Sequence, residues 1–464
     1  MKKIALIYGE KCGVQKKAIE VLSRFLLDYT CEYPACFKFE QKADYSEYRC
    51  IYLGTKGSNP YIAQNSNAQL SREQEYSICV KNDSVIIEGF DDAGVLYGCV
   101  DFYNKYIVRF EFTHNDYYHV NIFEKELPDF ECISAPSIKD RGIWTWGHVI
   151  YDYKDFIDNM VLLKMNTVII WNDFAPVNAS EMVEYAHRCG VKLFWGFAWG
   201  WDTNCSEFSF ENLSQTSKAI FEKYEREYKG IEADGIYFQS FTELSKEKIG
   251  DVLVAQAVTD FVNATAELFY EKYPDIELQF GLHATSVKNR LEYIKNVNPK
   301  IRIVWEDCGA FPFSYQPNDI KTFDETMLLA RKIALLRGEQ DRFGTVTKGL
   351  TKLDWSKFEH LGGAVSLGEA SKSFKANRVV RKSKIWRFLQ AYWLKNGDKA
   401  LEAIKIISDI KQNDALITAL VEDGMFEENI MFPVALYSEM LWDATADIKE
   451  LITTTALREY ITFA

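Results

Sequence analysis

The 464-residue sequence lacks most of the motifs that assign a chemistry on sight. Its six His form no His-Glu-x-x-His, and no Cys/His cluster has zinc spacing. No Gly-x-Gly-x-x-Gly follows a strand, no phosphate loop ends in Lys-Ser/Thr, and no Gly-x-Ser-x-Gly occurs. Dinucleotide enzymes, kinases and serine hydrolases are therefore without support. A metal held by carboxylates alone would leave little trace; the expectation is no metal and no cofactor. The ten Cys include no Cys-x-x-Cys, and several sit in apolar runs such as Tyr97-Gly98-Cys99-Val100, the pattern of buried free thiols. No stretch approaches about eighteen apolar residues, so no membrane span is expected. The apolar run ending at Tyr8 is too short for a signal peptide. These absences point to a cytoplasmic protein with no membrane partner. Excess cation is missing as well: a formal net charge of -13 argues against sequence-independent binding of nucleic acid.

What the chain has in quantity is aromatic side chains, with 11 Trp, 26 Tyr and 31 Phe. Most must fill a large core. Some are candidates to stack on the C–H faces of sugars.

Residues 1–130 read as a small α/β domain. Lys3–Tyr8 and Arg49–Gly54 are apolar strands, and Gln15–Leu27 is amphipathic and helical. Tyr76–Val80 and Ser84–Glu88 alternate around Lys81-Asn82-Asp83, a hairpin turn signal. A helix is expected from Asp91 to about Tyr106. After a transition ending in Ala135-Pro136, apolar strands alternate with amphipathic helices, the βα repeat of a parallel sheet.

Eight strands are expected within 137–372: Arg141–Trp146, Thr167–Trp171, Lys192–Ala198, Gly235–Gln239, Glu277–Leu282, Ile301–Trp305, Phe343–Val346 and Gly363–Leu367. Asn178 with Glu181 reads as a capping signature. Eight units in that length fit a (β/α)8 TIM barrel of about 250 residues, with an open doubly wound sheet as the alternative. Residues 376–464 read as a helical C-terminal region that could support a homodimer.

In such a barrel the chemistry lies at the C-terminal ends of the strands. That places Arg141 and Trp146 on the first strand, Asn172 and Asp173 after the second, and Trp199, Trp201 and Asp202 after the third. Thr242 and Glu243 follow the fourth, His283 the fifth, Trp305, Glu306 and Asp307 end the sixth, and Lys348 follows the seventh. Glycoside hydrolysis needs two carboxyl groups, one protonated and one ionised. Glu243 sits among apolar and hydroxylic residues, where burial would raise its pKa as an acid requires. Of Glu306 and Asp307 only one can reach the barrel axis, because neighbouring strand residues face opposite sides; Glu306 is preferred. The plainer readings are helix-entry and salt-bridge roles for the carboxylates and Arg141, a core role for His283, and packing for each Trp.

Two segments carry a family resemblance. Tyr76-Ser77-Ile78, Val85-Ile86-Ile87-Glu88-Gly89 and Asp92-Ala93-Gly94-Val95-Leu96-Tyr97-Gly98 resemble the end of the small domain that precedes the barrel in glycoside hydrolase families 20, 67 and 84. Ala135-Pro136-Ser137-Ile138-Lys139-Asp140-Arg141-Gly142 and Lys164-Met165-Asn166-Thr167 resemble the entry to those barrels. In family 20 hexosaminidases, the first-strand arginine binds the terminal sugar, which implies that role for Arg141. Strand four there ends in an Asp-Glu pair. The resemblance carries the acid to Glu243, but Thr242 stands where the Asp that steers the substrate's acetamido group would be, and Thr cannot stabilise a cationic oxazolinium.

The resemblance to family 67 α-glucuronidases implies Glu306 or Asp307 as base or nucleophile, with Arg141 and Lys348 able to hold a sugar carboxylate. The expected function is an exo-acting glycoside hydrolase on a glycan or oligosaccharide. A non-catalytic carbohydrate-binding barrel and a barrel enzyme of another class are the alternatives.

Overall fold

The computed structural model describes residues 3–30, 32–107, 129–200, 212–308, 322–351, 362–412, 414–421 and 426–464, without the side chains of 29, 106, 107, 307 and 308. The chain divides into two compact units.

The first unit, residues 1–136 with the short segments 187–190 and 453–459, is built on a six-stranded sheet. In spatial order its strands are Ala35–Lys38, Lys3–Tyr8, Tyr48–Gly54, Ser84–Gly89, Tyr76–Lys81 and Phe130–Ser134. The first four run parallel, and the last two add antiparallel. The hairpin turn falls where the sequence placed it: Asn82 and Asp83 both take positive φ, 50° and 66°, as a tight two-residue hairpin requires. Asp91 caps the helix Asp92–Asp101, its Oδ1 accepting from Gly94 N at 2.8 Å. A Cβ on Gly94 would overlap Glu75 O, so the glycine sets how closely this helix approaches the sheet.

The second unit is a closed parallel barrel. Its strands in chain order are Asp140–Trp146, Thr167–Trp171, Lys192–Ala198, Gly235–Gln239, Glu277–Leu282, Arg302–Cys308, Phe343–Leu350 and Ala415–Val421. The last pairs with the first, Leu416 opposite Asp140 through Leu420 opposite Trp144. The interior is packed solid by Trp144, Trp146, Ile169, Phe194, Tyr237, Val304, Val346, Leu416 and Leu420.

The closing strand corrects the sequence reading. Residues 363–367 form no strand. They run beside the loop after the second strand, where Val177 N donates to Val365 O and Asn178 exchanges two 2.9 Å hydrogen bonds with the backbone of Leu367. The Asn178 side chain thus bridges two loops, while its carbonyl accepts from Met182 N at the start of the helix Ala179–Arg188. The eighth strand comes 48 residues later, after the 40-residue helix Lys372–Lys411. The barrel therefore extends past 372, and the helical C-terminal region contains its last strand. That region also holds the helices Phe432–Trp442 and Ile448–Ala456. Among the described residues no helix is long and apolar enough to cross a membrane.

Candidate active site

Strand parity decides which side chains meet at the mouth. On the fourth strand Tyr237 and Gln239 share the inward face; on the sixth, Val304 and Glu306 do; on the first, Trp144 and Trp146 do. Past the fourth strand a single 3-10 turn, Phe241–Glu243, brings Glu243 to the rim, with its side chain 43% exposed. Thr242 is fully buried and joins two loops: its Oγ1 accepts from His283 N at 3.2 Å, and its carbonyl accepts from Ser286 N and Oγ. This structural duty fixes His283 relative to Glu243.

The imidazole of His283 bridges two carboxylates. Its Nδ1 lies 2.6 Å from Glu243 Oε1, and its Nε2 lies 2.7 Å from Glu306 Oε2. Glu306 is buried and enclosed. Its Oε1 accepts from the Tyr237 hydroxyl and from Gln239 Nε2 (2.5 Å), and Lys348 Nζ is 3.8 Å from its Oε2. Burial alone would raise Glu306, but the positive His283 and Lys348 and the hydrogen bonds from His283 and Tyr237 outweigh it and hold the group at about 2. Burial likewise opposes charge on His283, yet Glu306 first and Glu243 second lift it to about 10, so the ring is an imidazolium at neutral pH.

Glu243 was expected to be raised by burial. Burial does push it up, but the charge and hydrogen bond of His283 prevail and its pKa is lowered. The site thus pairs one exposed anion and one buried anion across a single cationic ring.

The remaining candidates divide by the face they occupy. Trp146 is inside the barrel, edge-on to Trp144 at 5.1 Å. Asn172 continues the second strand's pairing through its N–H to Gly196 O, and its Oδ1 packs against Gly147. Asp173 is partly exposed, and its carbonyl accepts from Lys223 Nζ.

Three expectations fail on orientation. Arg141 faces away from the barrel axis: its Nη1 donates to Ile138 O and Lys139 O, both at 3.1 Å, and its guanidinium lies 5.0 Å from the Trp442 ring. It is spent on packing and does not reach a sugar at the mouth. Trp199 stacks on Phe238 and Phe269 outside the barrel, and Trp305, of opposite parity to Glu306, is fully buried behind the wall. Trp201 and Asp202 lie outside the described residues, as does the side chain of Asp307.

Two site residues went unnoticed in the sequence, Tyr237 and Gln239. The signal was there: in Gly235–Gln239 the alternate positions carry a polar Tyr and a Gln on the face that should fill the barrel. Among the described residues no group of three or more His, Cys, Asp or Glu is arranged to hold a metal ion. Glu243 and Glu306 engage opposite nitrogens of His283 and do not converge. The arrangement can hold a proton between Glu243 and His283 and keep a fixed negative charge behind the ring.

Comparison with known proteins gives the fold. No protein-family model matches the sequence, and no curated protein matches it. Solved structures do match. A β-N-acetylhexosaminidase from Bacteroides fragilis is similar at TM-score 0.57 and 12% identity, over 100% of this chain and 93% of that one. CpGH84B is similar at TM-score 0.55 and 11% identity, over 98% and 70%. A GH138 enzyme that targets pectin rhamnogalacturonan II is similar at TM-score 0.54 and 12% identity; it aligns with 97% of this chain, which spans 65% of its length. At such identities the likeness concerns architecture: the chain has the small-domain and barrel fold that these glycoside hydrolases share.

Proposed function

We propose that the chain is a glycoside hydrolase that removes a terminal sugar from a glycan, with Glu243 as proton donor to the glycosidic oxygen. One observation carries the reading: at the C-terminal mouth of a closed barrel, an exposed carboxylate touches a buried imidazolium that is itself held by a buried carboxylate. Before a sugar binds, the shared proton rests on His283. A sugar covering Glu243 removes its water and raises its proton affinity. The proton then crosses the 2.6 Å contact from Nδ1 to Oε1 and passes to the leaving oxygen. Glu243, again an anion, can take a proton from the water that completes hydrolysis.

Glu306, expected from sequence as base or nucleophile, is enclosed by Tyr237, Gln239, His283 and Lys348. We assign it the fixed charge that orients and charges the ring, and leave attack at the anomeric carbon to water or to a neighbouring group of the sugar.

The test is turnover of a panel of glycosides covering N-acetylhexosaminides, uronides and neutral hexosides, by wild type and by Glu243→Gln. The variant should lose turnover of poor leaving groups by about 100- to 10,000-fold, yet keep much of its activity on dinitrophenyl glycosides, which depart without a proton. Full activity of the variant on poor leaving groups would remove Glu243 from the role. Sugar binding without turnover of any substrate would favour a carbohydrate-binding protein.

A further inference from the structure

The helix Lys372–Lys411 has 40 residues, roughly 60 Å at 1.5 Å per residue, far longer than the barrel wall needs. Its second half flanks the barrel from mouth to base. Trp393 Nε1 donates to Gly349 O at the end of the seventh strand, while Lys411 Nζ donates to Asp341 O just before that strand. Its first half continues across the loops at the mouth. Lys375 pairs with Asp152 and Asp155 after the first strand, and Arg378 Nε donates to the Tyr151 hydroxyl.

The stretch from this half to just past Trp393 has a composition unlike the rest of the chain. Between Ser371 and Gly397 there are eight Lys or Arg and no Asp or Glu, in a protein of net charge -13. At 100° per residue, Arg381, Lys384, Arg387 and Lys395 fall on one exposed arc, and none of them pairs with an acid among the described residues. Large apolar side chains stand out from the same arc: Phe374, which meets the Tyr151 ring on one edge, is 48% exposed, Val380 73%, Phe388 38% and Leu394 45%. Packing against the protein does not explain their exposed surfaces, which point away from it.

We propose that this arc docks the protein on an anionic lipid surface. The partner must be both negative and apolar, since it has to compensate four cations and cover four protruding hydrophobes. A second copy of the chain meeting this arc with its own would oppose like charges. A sugar chain needs hydroxyl-directed carboxamides, and the arc offers little beyond Asn377. The proposal departs from the sequence-based expectation of no membrane partner.

The experiment is co-sedimentation of the whole protein with phosphatidylcholine vesicles, with and without phosphatidylglycerol, at low and physiological salt. Binding should need phosphatidylglycerol and weaken with salt. Each cation near an anionic bilayer contributes about fivefold to partitioning, so R381Q/K384Q/R387Q should bind on the order of a hundredfold more weakly. R331Q/K332Q/K405Q removes the same charge from exposed positions elsewhere and should bind like wild type. V380S/L394S should weaken binding without changing its salt dependence. No binding to anionic vesicles at low salt, or equal losses in the two charge variants, would overturn the proposal. So would retention on soluble polygalacturonate in place of vesicles, which would assign the arc to an acidic glycan.

Discussion

Replacing Glu306 with Gln removes the buried anion while keeping its shape and its ability to accept from Tyr237. In the wild type, His283 is lifted from 6.5 to about 10, which corresponds to about 5 kcal/mol in favour of the charged ring. Burial opposes that charge; the charge of Glu306 is the largest single cause overcoming it, and the charge and hydrogen bond of Glu243 add to it. Without Glu306 the ring loses the largest of the favourable charges, keeps the half-exposed Glu243 and still faces Lys348, so a large part of that free energy should go. His283 should then titrate well below its wild-type value.

The change reaches stability through linkage. Because His283 is raised, its contribution is complete below 6.5 and is lost as pH climbs through about 10. Because Glu306 is depressed, its contribution is complete above 4.5 and is lost as pH falls through about 2. The pair therefore supports the fold most fully between 4.5 and 6.5, and E306Q should flatten both flanks. The assay is imidazole nitrogen NMR across the pH range, with urea unfolding at about pH 6 and about pH 9. A wild-type His283 that titrates near its ordinary 6.5, or one that E306Q leaves unmoved, would refute the reasoning.

Other substitutions probe the supports. Gly281→Ala should cost about 1–3 kcal/mol and disturb the site, because a Cβ there overlaps Tyr237 Oη and Glu306 Oε1; urea unfolding and the His283 NMR signal read both effects. Arg141→Ala should lower stability through its lost carbonyl bonds and its contact with Trp442, yet leave KM unchanged for any substrate found. Lys164, fully buried, pairs with Glu439 at 3.2 Å and lies 4.3 Å from the Trp442 ring. Lys164→Ala should cost about 3–5 kcal/mol in urea unfolding by removing the cation paired with the buried Glu439, whereas K164M/E439L should restore most of it.

The barrel was legible because its early strands are apolar runs separated by well-marked helices, and the rule that sites sit at strand ends then brought Glu243, His283, Glu306 and Lys348 into one place. Errors arose where a local pattern had a non-local use. Gly363–Leu367 has the composition of a strand, but its backbone partners are Val177 and Asn178, which no periodicity reveals. The true eighth strand, Ala415–Val421, follows so long a helix that it read as part of a separate helical region. Arg141 was assigned by resemblance to a mouth role, while parity along its own strand turned it outward. The direction of the Glu243 shift depended on a partner forty residues away in sequence, His283, and only the packed loops brought the two together.

Closure of the barrel by Ala415–Val421 has a consequence for how the protein is made. The first strand, Asp140–Trp146, waits for its partner until some 270 further residues have been synthesised. At about 5–20 residues per second that is roughly 15–60 s during which a growing sheet, seven-stranded only once Leu350 has been made, has two open edges. The nascent chain is exposed to edge-to-edge aggregation throughout that interval, and no stop codon before position 421 can yield a closed barrel. Refolding from denaturant faces the same long-range closure and should be slow and sensitive to protein concentration.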